Sequence, residues 1–197
     1  MRLEQQAKKL LKKHNGIFTA KQALKEGIKS GALSRMVKAE LIERVAPGIY
    51  IDPATFEDEF VVSQARFSSG IFCNETALYL YDMTDTTPNW LEMNFPRGYN
   101  SANLKKLRIK AYSQIKSLQN IGITTVDTPY GNKVKAYNIE RTLCDIIRPP
   151  HIAQDEVVRN AMQAFVRRRD KNLHRLMQYA EILKVKDKMQ TYMEVLL

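Results

Sequence analysis

Residues 14–52 read HNGIFTAKQALKEGIKSGALSRMVKAELIERVAPGIYID. Thr19 stands in an N-cap position before a short helical run at residues 20–26. Gly27 ends that run where a left-handed residue closes a helix. Ser30 is a second cap candidate, ahead of a helical run at residues 31–40. A β-rich run at residues 41–45, a tight turn at 46–48 containing Pro47 and Gly48, and a second β-rich run at 49–51 follow. Helix, turn, helix, then a two-stranded hairpin is the order of a winged helix-turn-helix, whose second helix enters the major groove of DNA. Ser34, Arg35 and Lys38 share one face of that second helix, and Arg44 sits on the hairpin.

Working outward, Leu3, Ala7, Leu10 and Leu11 recur at helical spacing and predict a preceding helix with its lysines on the opposite face. Residues 17 and 18 are positioned to pair with the hairpin. The expected core of this module is Leu10, Leu11, Ile17, Phe18, Ala23, Leu24, Leu33, Met36, Val37, Leu41, Ile42 and Ile49.

Charge follows the same division. The chain of 197 residues is formally +10, with an isoelectric point near 9.6. Residues 1–52 carry 11 Lys and Arg against 5 Asp and Glu, net +6; residues 53–139 are net +1 and residues 140–197 net +3. The basic excess therefore concentrates on the predicted DNA reader. Arg35 and Lys38 are candidates for base or phosphate contact, an arginine being able to pair bidentately with guanine. Lys25, Lys29 and Arg44 are candidate phosphate contacts. Ser30 has two readings, cap and phosphate contact; Ser34 is a candidate phosphate contact.

Asp52 and Pro53 mark the expected domain boundary, because proline cannot continue a strand ladder and the composition turns acidic at Glu57, Asp58 and Glu59. Phe56, Phe60 and Phe67 suggest a helix at about 54–68, packed on the second domain or bridging the two. The second domain, residues 53–197, is expected to be a mixed sheet with helical insertions over about 54–138 and helical over about 139–197. Asn74 is a predicted cap for the helix that follows. Strand-like runs at 71–73, 90–95, 108–112, 123–127 and 133–137 supply the sheet, with a hairpin turn at 130–132. Helical runs at 139–148, 155–169, 173–183 (capped by Asn172) and 186–197 complete the chain. The fold class is α+β.

Two segments in this second part carry a resemblance. One is NETALYLYDMTD at residues 74–85, followed by Pro88; the other is YGNKVKAY at 130–137, followed by IERTLCD at 139–145. With the N-terminal reader, they resemble the AbiEi antitoxins of AbiE abortive-infection toxin–antitoxin systems. Met83 stands where that family often has leucine. The resemblance implies bacterial phage defence. It implies an N-terminal domain that binds inverted repeats in double-stranded DNA upstream of its own operon and represses it. It further implies a C-terminal domain that counters a nucleotidyltransferase-like toxin without forming a stable complex with it. The residues alone give a DNA reader joined to a mixed domain, which also describes a plain transcriptional regulator whose second domain senses a ligand or dimerises.

Arg167, Arg168, Arg169, Lys171 and Arg175 form a second basic cluster, readable as a contact to nucleic acid or as a solvated helix end. Glu140 and Arg141 are expected to pair with Asp145 or a helix cap. Catalysis finds little support: His14, His151 and His174 are scattered, and no phosphate loop, nucleophile elbow or metal-ligand spacing is present. Asp82, Asp85 and Asp127 could serve a nuclease, but no Glu-x-Lys strand follows Asp127. No metal or cofactor is expected. Cys73 and Cys144, flanked by apolar residues, are expected to be reduced core residues. With no apolar run long enough for a membrane span and no signal-like N-terminus, a cytoplasmic protein is expected.

Overall fold

The computed structural model describes residues 2–55, 57–100 and 102–196. Phe56 and Leu197, both assigned to helices by periodicity, lie outside the described residues. The chain is α+β, with helices, a three-stranded sheet and a five-stranded sheet. It forms two compact units: Met1–Ser68 with Thr128–Lys133, and Ser69–Asp127 with Val134–Leu197.

In the first unit, α1 (Arg2–Lys13) buries Ala7, Leu10 and Leu11 and turns its lysines outward. A short strand, β1 (Ile17–Thr19), leads into α2 (Ala20–Lys25). Thr19 Oγ1 accepts from Gln22 N at 3.2 Å and Gln22 Oε1 accepts from Thr19 N at 2.7 Å, a reciprocal cap that fixes the start of α2. Gly27, at φ +77°, reverses the chain, and Ile28 N returns to Ala23 O at 2.9 Å. That turn brings Ile28 into the core in place of Leu24, which is 62% exposed. The expected burial of Leu24 fails because α2 has only six residues and buries a single one, Ala23.

The next helix, α3 (Ser30–Lys38), takes Lys29 as its cap residue, extended at φ −79° and ψ 161°, with no side-chain bond. Ser30 is thus the first helical residue and not the cap. Leu33 and Met36 are the buried face of α3. Leu41 and Ile42 form a bend, with Ile42 turned inward, so β2 (Glu43–Ala46) begins later than the residue pattern suggests. β3 (Ile49–Ile51) is central, in the order β1-β3-β2, and both pairings are antiparallel. Gly48 takes φ +74° in the turn, and its carbonyl accepts from Ala20 N at 2.7 Å, tying the hairpin to the start of α2.

The helix expected at 54–68 is α4 (Glu59–Arg66). It starts later because Asp58 caps it, its Oδ1 accepting from Phe60 N at 3.0 Å and Val61 N at 3.2 Å. Val62 packs with Ile17, Ala46, Ile49 and Ile51. The chain therefore stays in the first unit past Pro53, as far as Ser68. The other oxygen of Asp58 accepts from Thr128 Oγ1 at 2.6 Å and Asn132 Nδ2 at 2.9 Å, which places the 128–133 turn in the same unit. Asp58→Ala removes a helix cap and strands two buried donors, at an expected cost of about 2 kcal/mol or more. A lower urea midpoint with unchanged slope checks this.

The second unit holds β4 (Ile71–Phe72), α5 (Asn74–Leu80), β5 (Leu91–Pro96), α6 (Asn103–Lys106), β6 (Ile109–Gln114), α7 (Lys116–Gln119), β7 (Ile123–Asp127) and β8 (Lys133–Tyr137). The sheet order is β6-β5-β4-β8-β7, with β4 antiparallel to β5 but parallel to β8, and β5 parallel to β6. Cys73, not Asn74, occupies the cap position of α5; Asn74 sits at φ +48° and offers the helix no side-chain bond. Cys73 and Cys144 are buried free thiols, and burial pushes both well above the ordinary thiol range.

Four helices close the chain: α8 (Ile139–Ile146), α9 (Asp155–Arg167), α10 (Leu173–Ile182) and α11 (Lys186–Leu196). Every residue of α8 is buried because α5, α9 and α10 all pack on it. That burial explains the IERTLCD motif. Arg141, fully buried, reaches Asp145 Oδ2 at 2.9 Å and donates to Leu118 O at 2.6 Å and Ile121 O at 3.1 Å. Its guanidinium also lies 4.3 Å from the Tyr137 ring centre. Gly122 lets the chain pass close by: at φ +75°, an added Cβ would stand 2.7 Å from Arg141 Cβ. Glu140 turns the other way, to Arg175 at 2.7 Å and to Asn172 N at 3.3 Å, at the start of α10. Both residues hold helices together. Among the described residues, no helix is long and apolar enough to cross a membrane.

Candidate nucleic-acid interface

The first unit brings the predicted residues together through helix geometry. On α3, Ser30, Ser34 and Lys38 follow at intervals of four, and Gly31 and Arg35 form the adjacent row. All five are exposed, while Leu33 and Met36 hold the opposite face in the core. A Cβ on Gly31 would meet nothing within 4 Å, so the helix backbone itself is open there.

Local hydrogen bonds hold these side chains against the surface without satisfying them. Ser34 Oγ donates to Ser30 O at 3.2 Å. Arg35 Nε donates to Gly31 O at 3.3 Å, which leaves its two terminal nitrogens directed to no protein group among the described residues. Arg44, exposed on β2 opposite Tyr50, donates from Nε to Ala46 O at 3.4 Å. Lys25 ends α2 and Lys29 precedes α3, both exposed. Among the described residues, none of Lys25, Lys29, Arg35, Lys38 and Arg44 forms an ion pair. Lys29, Arg35 and Lys38 on or beside the exposed face of α3, with Lys25 at the end of α2 and Arg44 on β2, create a positive field that a polyanion would neutralise.

Lys21 joins these exposed cations, although the helix-turn-helix pattern does not single it out. It lies one turn before Lys25 on α2, is exposed, and has no ion pair among the described residues. Its four-residue spacing from Lys25 was the available signal. By contrast, Lys13 on α1 is paired with Glu26.

The second basic cluster divides. Arg168 is held by Asp170 through two bonds of 2.9 Å, Lys171 caps the Arg168 carbonyl at 3.2 Å, and Arg175 serves Glu140. Arg167 and Arg169 are exposed without an ion pair among the described residues. Most of this run stabilises the end of α9 and the start of α10. Among the described residues, no group of three or more His, Cys, Asp or Glu side chains is placed to hold a metal.

Comparison with known proteins adds three findings. The chain shares its fold with the crystal structure of the RV2827C protein from Mycobacterium tuberculosis, at a TM-score of 0.55 and 12% identity over 89% of this chain and 69% of that one. No curated protein matches. A family model described as a transcriptional regulator, AbiEi antitoxin, matches residues 5–51, which covers α1 to β3 and leaves the motifs at 74–85 and 130–145 outside it. Residues 5–51, the helices and hairpin that carry the exposed cations, are thus the part of the chain that is similar to the AbiEi antitoxin transcriptional regulators.

Proposed function

We propose that residues 2–51 act as a winged helix-turn-helix that represses the chain's own operon, and that the whole protein is the antitoxin of an abortive-infection system. In this reading α3 enters the major groove, Arg35 and Lys38 reach base edges or phosphates, and Lys21, Lys25, Lys29 and Arg44 hold the backbone. Ser30 and Ser34 add hydroxyl contacts to phosphate. The operator is an inverted repeat in double-stranded DNA. The observation that carries the reading is the exposed face of α3, ringed by unpaired cations, within a segment that matches a family of antitoxin regulators. The second unit then counters a nucleotidyltransferase-like toxin in the cytoplasm, without a stable complex and without catalysis of its own. Support for that half is the resemblance of the 74–85 and 139–145 motifs.

A second reading, a regulator whose second unit senses a small molecule, draws on a polar cavity of 310 Å³ lined by Glu75, Glu92, Lys110, Tyr112 and His151, among others. One experiment separates the two. The toxin encoded beside this chain is expressed from an unrelated promoter, together with the full-length protein, while a reporter follows the chain's own promoter. The antitoxin reading expects growth rescue and reporter repression from the wild type, and rescue without repression from the Arg35→Ala, Lys38→Ala double variant. Repression with no rescue by the wild type overturns the antitoxin half and leaves the regulator. Full-length variants are the right reagents, because a cut at Pro53 would remove α4 and the Asp58 contacts from the first unit.

A further inference from the structure

The second unit segregates its charge along the chain. Between Glu92 and Asp127, residues 93–126 hold Arg97, Lys105, Lys106, Arg108, Lys110 and Lys116 and no carboxylate. Part of this run borders an open groove of 850 Å³. Its lining combines Trp90, Leu104, Ile109 and Ala111 with Lys105 and Lys110, and β6 is the outermost strand of its sheet. Trp90 is the only tryptophan of the chain, and it is 46% exposed. Tryptophan is highly buried on average, so a half-exposed indole beside Leu104 and Ile109 offers a surface for contact.

The cations on the rim differ in their engagement. Lys110 Nζ is bound by Glu92 at 2.8 Å and lies 5.4 Å from the Tyr112 ring centre. Lys105 is exposed and has no ion pair among the described residues, and the same holds for its neighbours Lys106 and Arg108. A half-exposed indole on a groove that Lys105 also lines, with Lys106 and Arg108 close by in sequence, matches a strand that offers flat bases and phosphates alternately. A duplex is a poor fit, because its base faces are already stacked on one another.

We propose that this groove holds a single-stranded nucleic acid, with a base stacked on the Trp90 indole and the adjoining phosphate at Lys105. The site is separate from α3 and reads no sequence, since every base has a stacking face.

The sole tryptophan makes the test direct. The full-length protein is titrated with oligouridylate and, separately, with oligodeoxythymidylate of about ten nucleotides, and Trp90 emission is followed. At least one oligomer is expected to quench the emission saturably, and the preference between them identifies RNA or DNA. Lys105→Glu is expected to weaken the quenching curve about tenfold. Trp90→Ala, read with a labelled oligomer, is expected to weaken binding by about the same factor. The Arg35→Ala, Lys38→Ala variant is expected to retain the wild-type curve, which keeps this test independent of duplex binding. No change in emission with either oligomer overturns the proposal. So does a curve that Lys105→Glu leaves unmoved or that the α3 variant abolishes.

Discussion

The Arg35→Ala, Lys38→Ala double variant is expected to bind a promoter duplex at least about a hundredfold more weakly than the wild type. One good bidentate base contact is worth about 1–3 kcal/mol in discrimination, and every 1.4 kcal/mol is roughly tenfold in affinity. Both residues are exposed on α3, and neither is paired with a carboxylate among the described residues. Their removal should therefore leave stability within about 0.5 kcal/mol of wild type. Anisotropy with a labelled duplex, alongside urea unfolding of the same samples, reads both quantities. A variant that unfolds early would assign the two residues to the fold; one that binds as wild type would remove them from the interface.

Arg141→Met is expected to cost about 3–5 kcal/mol, the range seen when one member of a buried ion pair is removed. The variant strands the Asp145 carboxyl and the carbonyls of Leu118 and Ile121 inside the second unit. Burial pushes Asp145 above the ordinary carboxylate range, and Arg141 pulls it down. Without Arg141 the upward push of burial is opposed only by the smaller pull of Arg148. A carboxyl raised in the folded state favours folding below its unfolded pKa, about 3.9, and loses that advantage as pH rises through the folded value. The variant should thus lie closest to wild type near pH 4 and furthest from it at neutral pH. Urea midpoints across that range check the sign.

What could be read in the sequence was local. Thr19, Gly27, Pro47 and Gly48 marked their boundaries because caps and tight turns draw on a few neighbouring residues. Asn172 did the same for α10, accepting from Arg175 N at 2.9 Å. Exposed candidates on α3 were legible as the complement of Leu33 and Met36. Features that depend on what covers a face were not. Leu24 fits the apolar period, but the Gly27 turn brings Ile28 inward instead. Asn74 has the residue type of a cap, yet its backbone is left-handed and its side chain takes no part. The parallel pairing of Phe72 with Ala136 leaves no local pattern. Neither do the bonds that Thr128 and Asn132 donate to Asp58, which draw a distant turn into the first unit. Lys21 is legible only through its four-residue spacing from Lys25 on α2.

The most direct measurement is the salt dependence of duplex binding by the full-length protein. Each phosphate neutralised contributes a slope of about −0.9 in log affinity against log salt. Contacts from Lys21, Lys25, Lys29 and Arg44, with Lys38 as a fifth, give a slope between about −3.5 and −4.5. The account predicts that value for the promoter duplex, and a slope shallower by about one in Lys29→Ala. A salt-independent affinity, or no binding to the promoter at all, would contradict it.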